Sequence, residues 1–282
     1  MKTSILLLLT FLGCTSWFQS QLLYQIKSKD GKLSSYIFGT IHMMPKEQFA
    51  IQPNLLNAFN QTTTLAMEVD LNMDLATKID LAKQTLLPEG KTLEDVTTKE
   101  QYQAIYAYCI DSNGISKKKF KRYSHLKPFF FSSALLQDEL KETKSYELEF
   151  NDMASKAGKK TMGLESIQVQ MQTINSVSIL DQVSMLMDGL KSTDTYDAML
   201  TNYLNEDLDL LYQDITAESS SFPNFIENFL NKRNKNWIPL IENQIEHERT
   251  FIAVGAGHLP GENGVLNLLK MRGYTLTAIP LK

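Results

Sequence analysis

Cysteine is nearly absent from this chain: 282 residues carry only Cys14 and Cys109. If Cys14 is removed or lipidated, Cys109 has no partner within the chain, and in the apolar run Ala104 to Ile110 it reads as a buried core thiol. A nucleophilic role is disfavoured, because no histidine lies near it in sequence and nothing activates it. Concentrated positive charge is lacking too. The formal net charge is −4, and the longest basic cluster is Lys117-Lys118-Lys119 with Lys121-Arg122, which excludes the broad basic face a nucleic-acid binder needs. Long hydrophobic runs are missing apart from Ile5 to Leu12, which is too short to span a bilayer. No His-Glu-x-x-His is present. The Gly255-Ala256-Gly257 segment has Pro260 where a dinucleotide loop would place its third glycine, and it lacks the lysine of a P-loop. Histidine is also scarce, at four residues.

What is present begins with a leader. Met1-Lys2, the apolar run, and the small or polar Gly13 to Ser16 have the layout of a secretory signal peptide. Two processing routes stay open. Cleavage between Ser16 and Ser20 would free an exported protein in a bacterial periplasm or envelope. Alternatively, Leu12-Gly13-Cys14 would end a lipoprotein signal, with Cys14 lipidated and retained. Residues 1–20 are therefore read as leader and 21–282 as a single domain. Its composition, 43% hydrophobic and 21% charged, is that of a globular protein with a substantial core.

Two of the four histidines occupy matched positions. Tyr36-Ile37-Phe38-Gly39-Thr40-Ile41-His42 and Phe251-Ile252-Ala253-Val254-Gly255-Ala256-Gly257-His258 are both apolar strand formers running into Gly-x-x-His. Strand ends are where an open α/β sheet presents ligands, so the two ends of the chain are expected to build one site. Around the first motif the pattern predicts strands at 22–26 and 34–39, with a turn at Lys29-Asp30-Gly31-Lys32. A helix over 53–60 and a strand over 63–69 follow, the latter bringing the acid Glu68 into an apolar run. Around the second, a strand at 251–254 leads through the histidine loop to a helix capped by Asn263 and closed by Gly273, then a strand at 274–279. Between them the chain reads as helical, near 98–110, 128–141, 145–157 and most of 166–247. A short strand over 160–164 interrupts it and ends at Glu165. Asp70 reads as a helix N-cap before Leu71. Tyr146-Glu147-Leu148-Glu149 reads as ordinary helix surface, and His125 and His247 as surface residues. Met171, Met185, Met187 and Met199 read as core packing, with a methionine-lined peptide groove as the alternative. The alternation of strands and helices predicts an α/β (α+β) fold, a sheet covered by helices, with strand–Gly-x-x-His–helix–strand units at both ends and a largely helical middle.

Phe38-Gly39-Thr40-Ile41-His42 followed by Pro45, and Val254-Gly255-Ala256-Gly257-His258-Leu259-Pro260-Gly261 followed by Gly264, resemble the two signature motifs of the TraB/GumN family. Glu68, Gly163-Leu164-Glu165, and Arg233-Asn234 with Trp237 sit in the family order. The resemblance covers essentially all of the chain after the leader. It implies a central mixed sheet surrounded by helices and a site holding both histidines, kinship with the Tiki metalloproteases and, more distantly, with erythromycin esterases and ChaN-like haem-binding proteins, and divalent-metal hydrolysis.

The chemistry these residues offer is that of a metal-dependent hydrolase acting on peptides or proteins. His42, His258 and Glu68 are the candidate metal ligands. The imidazole–carboxylate mix suits Mn, Co, Fe or Zn without choosing among them. Glu165 is the candidate general base and Arg233 the candidate stabiliser of an oxyanion or holder of a substrate carboxylate. A mutual Glu165–Arg233 salt bridge is the structural alternative for both, and for Glu68 the alternative is a buried pair with Arg233. Two other functions remain open: metal-independent, esterase-like hydrolysis with the histidines as acid and base, and non-catalytic sequestration of a peptide or haem at the envelope.

Overall fold

A computed structural model describes residues 21–191, 195–218, 222 and 224–281. Residues 1–20, read from sequence as a leader containing Cys14, lie outside the described residues, as do 219–221 and 223. Among the described residues eight strands form two sheets: β1 (Leu23–Lys27), β2 (Ser34–Thr40), β3 (Met44–Pro45), β4 (Thr64–Met67), β5 (Thr143–Lys144), β6 (Lys160–Gly163), β7 (Thr250–Gly255) and β8 (Thr275–Ile279). The main sheet has the order β6-β4-β7-β2-β1-β8. β6, β4, β7 and β2 are parallel neighbours, and β1 pairs antiparallel with both β2 and β8. The sheet is therefore mixed, as the family resemblance implies, with β1 the one reversed strand.

β7 lies between β4 and β2, and Thr250 to Val254 are all buried. Such an unbroken apolar run marks a strand covered on both faces. Glu68 follows β4 directly and Glu165 lies two residues past β6, while His42 and His258 lie two and three residues past β2 and β7. Because these four strands are parallel, all four side chains leave the sheet at the same edge. Topology thus gathers at one place residues that are far apart in sequence.

Phe38, Phe59, Phe150 and Phe251 pack into one aromatic cluster beside the sheet, with ring centroids 4.8–6.5 Å apart. A second core gathers Ile105, Cys109, Phe120, Phe131 and Leu186 within the helical middle. The helices Pro53–Asn60, Pro128–Glu139 and Tyr146–Lys156 fall where sequence periodicity places them. Two caps differ. Asp74, not Asp70, caps the helix Leu75–Gln84, and Asp70 instead accepts a bond from the Asn72 amide. That helix buries none of its residues, and its Leu75 and Ile79 are exposed. At the C-terminal end Gly264, not Asn263, stands at the N-cap of Val265–Met271; the Asn263 carbonyl instead accepts from Asn234. No helix among the described residues is long and apolar enough to cross a membrane.

Candidate functional site

The C-terminal edge of the parallel strands opens into a cavity of about 680 Å³. His42, Glu68, Glu147, Arg233, Gly255 and His258 supply its polar wall. Met43, Leu71, Phe129, Ile174, Met199 and Phe229 are among the apolar side chains lining the rest. Gly39 lets the two histidine loops approach: a Cβ there would lie 2.9 Å from the Leu259 side chain and 3.0 Å from the Ala256 backbone.

Arg233 is the hub. It belongs to the helix Lys232–His247, which precedes β7, and is 7% exposed. Its Nη2 donates to Glu68 Oε2 at 2.6 Å and to Glu165 Oε1 at 2.5 Å, and its Nε donates to both Glu165 oxygens at 3.0 and 3.2 Å. The Trp237 indole donates to Glu165 Oε2 at 3.3 Å. Nη1 donates to the Phe229 carbonyl at 2.9 Å and lies 3.2 Å from His258 Nε2. A π-helical turn at Glu227–Asn231 immediately precedes this helix. There the Lys232 amide reaches back to Glu227, five residues away, a widening of the kind that recurs beside functional sites. The Glu165–Arg233 and Glu68–Arg233 pairs anticipated as structural alternatives are thus both formed. Glu165, expected as a general base, has both oxygens engaged and does not line the cavity.

Glu68 also accepts from the Gly255 amide at 2.8 Å and from Gln170 Nε2 at 3.0 Å. Burial alone would raise its pKa. The charges of Arg233 and His42 and the bond from the Gly255 amide outweigh that and hold it at about 2, so a buried acid is kept ionised by its partners.

The two histidines are anchored differently. Asn234 Nδ2 donates to the His258 and Asn263 carbonyls, which leaves Asn234 Oδ1 as an acceptor 2.6 Å from His258 Nδ1. The His258 proton therefore sits on Nδ1, and the Nε2 lone pair accepts from Arg233 Nη1 at 3.2 Å, with Glu68 Oε1 3.6 Å away. Burial, aided by Arg233, drives the His258 pKa down to about 3, so the ring is neutral. Trp237 packs against it with ring centroids 4.5 Å apart. His42 Nδ1 lies 3.0 Å from Glu147 Oε1. His42 lines the open cavity, and its side chain is 66% exposed. Burial opposes its charge, and the bond to Glu147 together with that residue's negative charge prevails, pushing its pKa up to about 9. Glu147, read from sequence as helix surface, is only 14% exposed and is part of the site. Its signal was the Ser145 cap that fixes it in a first helical turn, but nothing local ties it to His42. His247 is exposed as expected, whereas His125 is half-buried.

The donor set fits a divalent ion in its chemistry. Both imidazoles have Nδ1 engaged by a protein oxygen, the outer bonding characteristic of histidine ligands; a bound ion would take the place of the Arg233 Nη1 contact at His258 Nε2 and of the proton on His42 Nε2. A Cβ built on Gly255 would lie 3.2 Å from Glu68 Oε1, 3.5 Å from His258 Cδ2 and 3.8 Å from His42 Nε2. The three groups thus surround one small space that only a glycine leaves open. Among the described residues no three His, Cys, Asp or Glu side chains already stand at coordinating geometry, so binding would require them to close in.

A mixed α/β domain that collects two Gly-x-x-His loops and two buried acids around one arginine defines the class. The chain belongs to the TraB/PrgY/gumN family, which matches residues 22–278. It is 23% identical over 304 residues to metalloprotease TIKI1 of Danio rerio, covering 87% of this chain and 61% of that protein. Against metalloprotease TIKI1 of Homo sapiens it is 23% identical over 307 residues, covering 87% and 60%. Against metalloprotease TIKI2 of Xenopus tropicalis it is 23% identical over 314 residues, covering 87% and 58%. The chain thus spans about three-fifths of the length of these relatives. No solved structure matches it.

Proposed function

We propose that the chain is an exported metal-dependent hydrolase acting on peptides or proteins, with His42, Glu68 and His258 holding the divalent ion. The observation that carries this reading is the convergence of those three side chains on the space beside Gly255. When bound, the ion would supply Lewis-acid polarisation of a carbonyl and activation of water near neutral pH. Arg233 lines the cavity beside His258, where its charge can stabilise an oxyanion that develops on a carbonyl oxygen or hold a substrate carboxylate. Glu165 anchors Arg233 in this reading and takes a proton only by giving up one of its bonds. Glu68, held ionised, keeps Arg233 charged and oriented. The apolar remainder of the cavity excludes water around the reacting bond and favours apolar peptide side chains.

A second reading, acid/base catalysis by the histidines without metal, is favoured by one observation: Arg233 Nη1 already lies 3.2 Å from His258 Nε2. Calorimetric titration with Mn(II), Co(II) and Zn(II), paired with peptide hydrolysis before and after chelation, separates the two. The leading reading expects stoichiometric binding that is lost in the His42→Ala/His258→Ala variant. It also expects strong weakening in Gly255→Ala, which keeps every donor and puts a methyl in the shared space. Gly255 has φ −50° and ψ 134°, which alanine adopts without strain. Absence of metal binding in the wild type, with hydrolysis that survives chelation, would establish the second reading instead.

A further inference from the structure

His42 is the most exposed of the candidate ligands, yet its ring is held in one direction. Thr40 and His42 are two residues apart, and both reach the same oxygen: Glu147 Oε1 accepts from Thr40 Oγ1 at 2.5 Å and lies 3.0 Å from His42 Nδ1. Glu147 Oε2 accepts from Ser145 Oγ at 2.6 Å. The carboxylate sits in the first turn of the helix Tyr146–Lys156, where the helix dipole favours negative charge. The two-stranded ribbon β3–β5 pairs Met44 with Lys144 and Pro45 with Thr143. It begins two residues after His42 and ends one residue before Ser145, so it staples together the segments that carry the histidine and the acid. The Lys46 amide bonds to the Glu142 carbonyl, and the Lys46–Glu142 ion pair at 2.7 Å extends the staple.

We propose that Glu147 is the positioning residue of this site, fixing the His42 ring through Nδ1 so that Nε2 faces Glu68 and His258. The ribbon and the Thr40 and Ser145 hydroxyls hold that carboxylate in place. This assignment rests on the proposed use of His42 as a ligand, but its geometry stands apart from any metal. His258 needs no such device, because Asn234 and Trp237 hold it from within the core. Carboxylates bonded to the outer nitrogen of a ligating histidine tune affinity by about 10–100-fold.

The test compares the full chain with Glu147→Ala and Glu147→Gln, using ring 15N–1H spectra of histidine-labelled protein and titration with Co(II) alone. Only four histidines need assignment. The expected result is a His42 Nδ1–H resonance shifted downfield by the carboxylate. It should be lost in Glu147→Ala and retained with a smaller shift in Glu147→Gln, whose side-chain oxygen still accepts, while the His258 Nδ1–H resonance stays put in both. Co(II) affinity should fall about 10–100-fold in Glu147→Ala and less in Glu147→Gln, with circular dichroism unchanged. A His42 resonance indifferent to Glu147→Ala, or Co(II) affinity unchanged in that variant, would overturn the assignment. If the wild type binds no Co(II), the metal reading fails, and the His42 ring resonance alone decides the positioning role.

Discussion

Replacing Arg233 with methionine keeps a long apolar stem and removes the cation from a closed pocket. Two carboxylates, Glu68 and Glu165, each have side chains only 7% exposed, and both lose their shortest partner. The Phe229 carbonyl loses a donor as well. Removing one partner of a buried ion pair costs about 3–5 kcal/mol, because the remaining charge stays desolvated. Here two acids are stranded, but Gln170, the Gly255 amide and Trp237 still donate to them. The loss at pH 7 is therefore placed at about 4 kcal/mol within that range. At roughly 2–4 °C per kcal/mol for a chain of this size, the melting temperature should fall by about 8–16 °C. Urea unfolding followed by circular dichroism gives the free energy directly. Glu68, no longer held down by the Arg233 charge, would become easier to protonate, so the gap to wild type should narrow as pH is lowered toward 5. Adding Glu165→Gln to Arg233→Met should recover part of the loss, since the second change removes a charge the first has orphaned. A loss under about 1 kcal/mol, the worth of a surface pair, or a double variant whose losses simply add, would refute the view of Arg233 as the hub of a coupled buried cluster.

Stability should peak near pH 6.5 and fall on both sides. Below it, the unfolded chain takes up a proton that native His258, held at about 3, refuses, and below 4.5 unfolded carboxylates protonate while native Glu68 and Glu147 stay ionised at about 2. Above it, native His42 keeps its proton up to about 9 while the unfolded chain gives its proton up. Melting temperatures across pH 4 to 10 check this; His42→Gln should flatten the alkaline limb, and an equally steep limb in that variant would show the cause to lie elsewhere. Cys109 is buried and its thiol is pushed up to about 12, first by burial and then by Glu139 and Asp138. It should therefore resist a thiol-specific dye at pH 8 in the native protein and react fully in denaturant, and rapid native labelling would contradict the buried-core reading.

The elements and half of the site were legible in the sequence because their signals are local. An apolar β run ending in Gly-x-x-His marks β2 with His42 and β7 with His258 without reference to anything else in the chain. The helices 53–60, 128–139 and 146–156 likewise follow from spacing and from Pro or Ser at their starts. Cap placement was less secure. Asp70 and Asn263 are good capping residues by type, but Asp74 and Gly264 take those roles, and in each case a long-range or neighbouring hydrogen bond claims the other residue.

Only the tertiary structure decided which charged groups meet. Glu147 belongs to an acidic, outwardly ordinary helix start, and becomes a partner of His42 because the ribbon β3–β5 brings segments about a hundred residues apart side by side. Arg233 could have paired with one acid, both or neither; parallel β4 and β6 deliver Glu68 and Glu165 to the same edge, and one guanidinium spans them. The opposite protonation of the two histidines is a tertiary outcome as well. The same Gly-x-x-His motif yields a neutral ring at His258, enclosed with Asn234, and a charged one at His42, opened to the cavity and faced by a carboxylate. The chain encodes locally that a histidine follows a strand, while the proton it carries depends on burial and on neighbours that folding alone assembles.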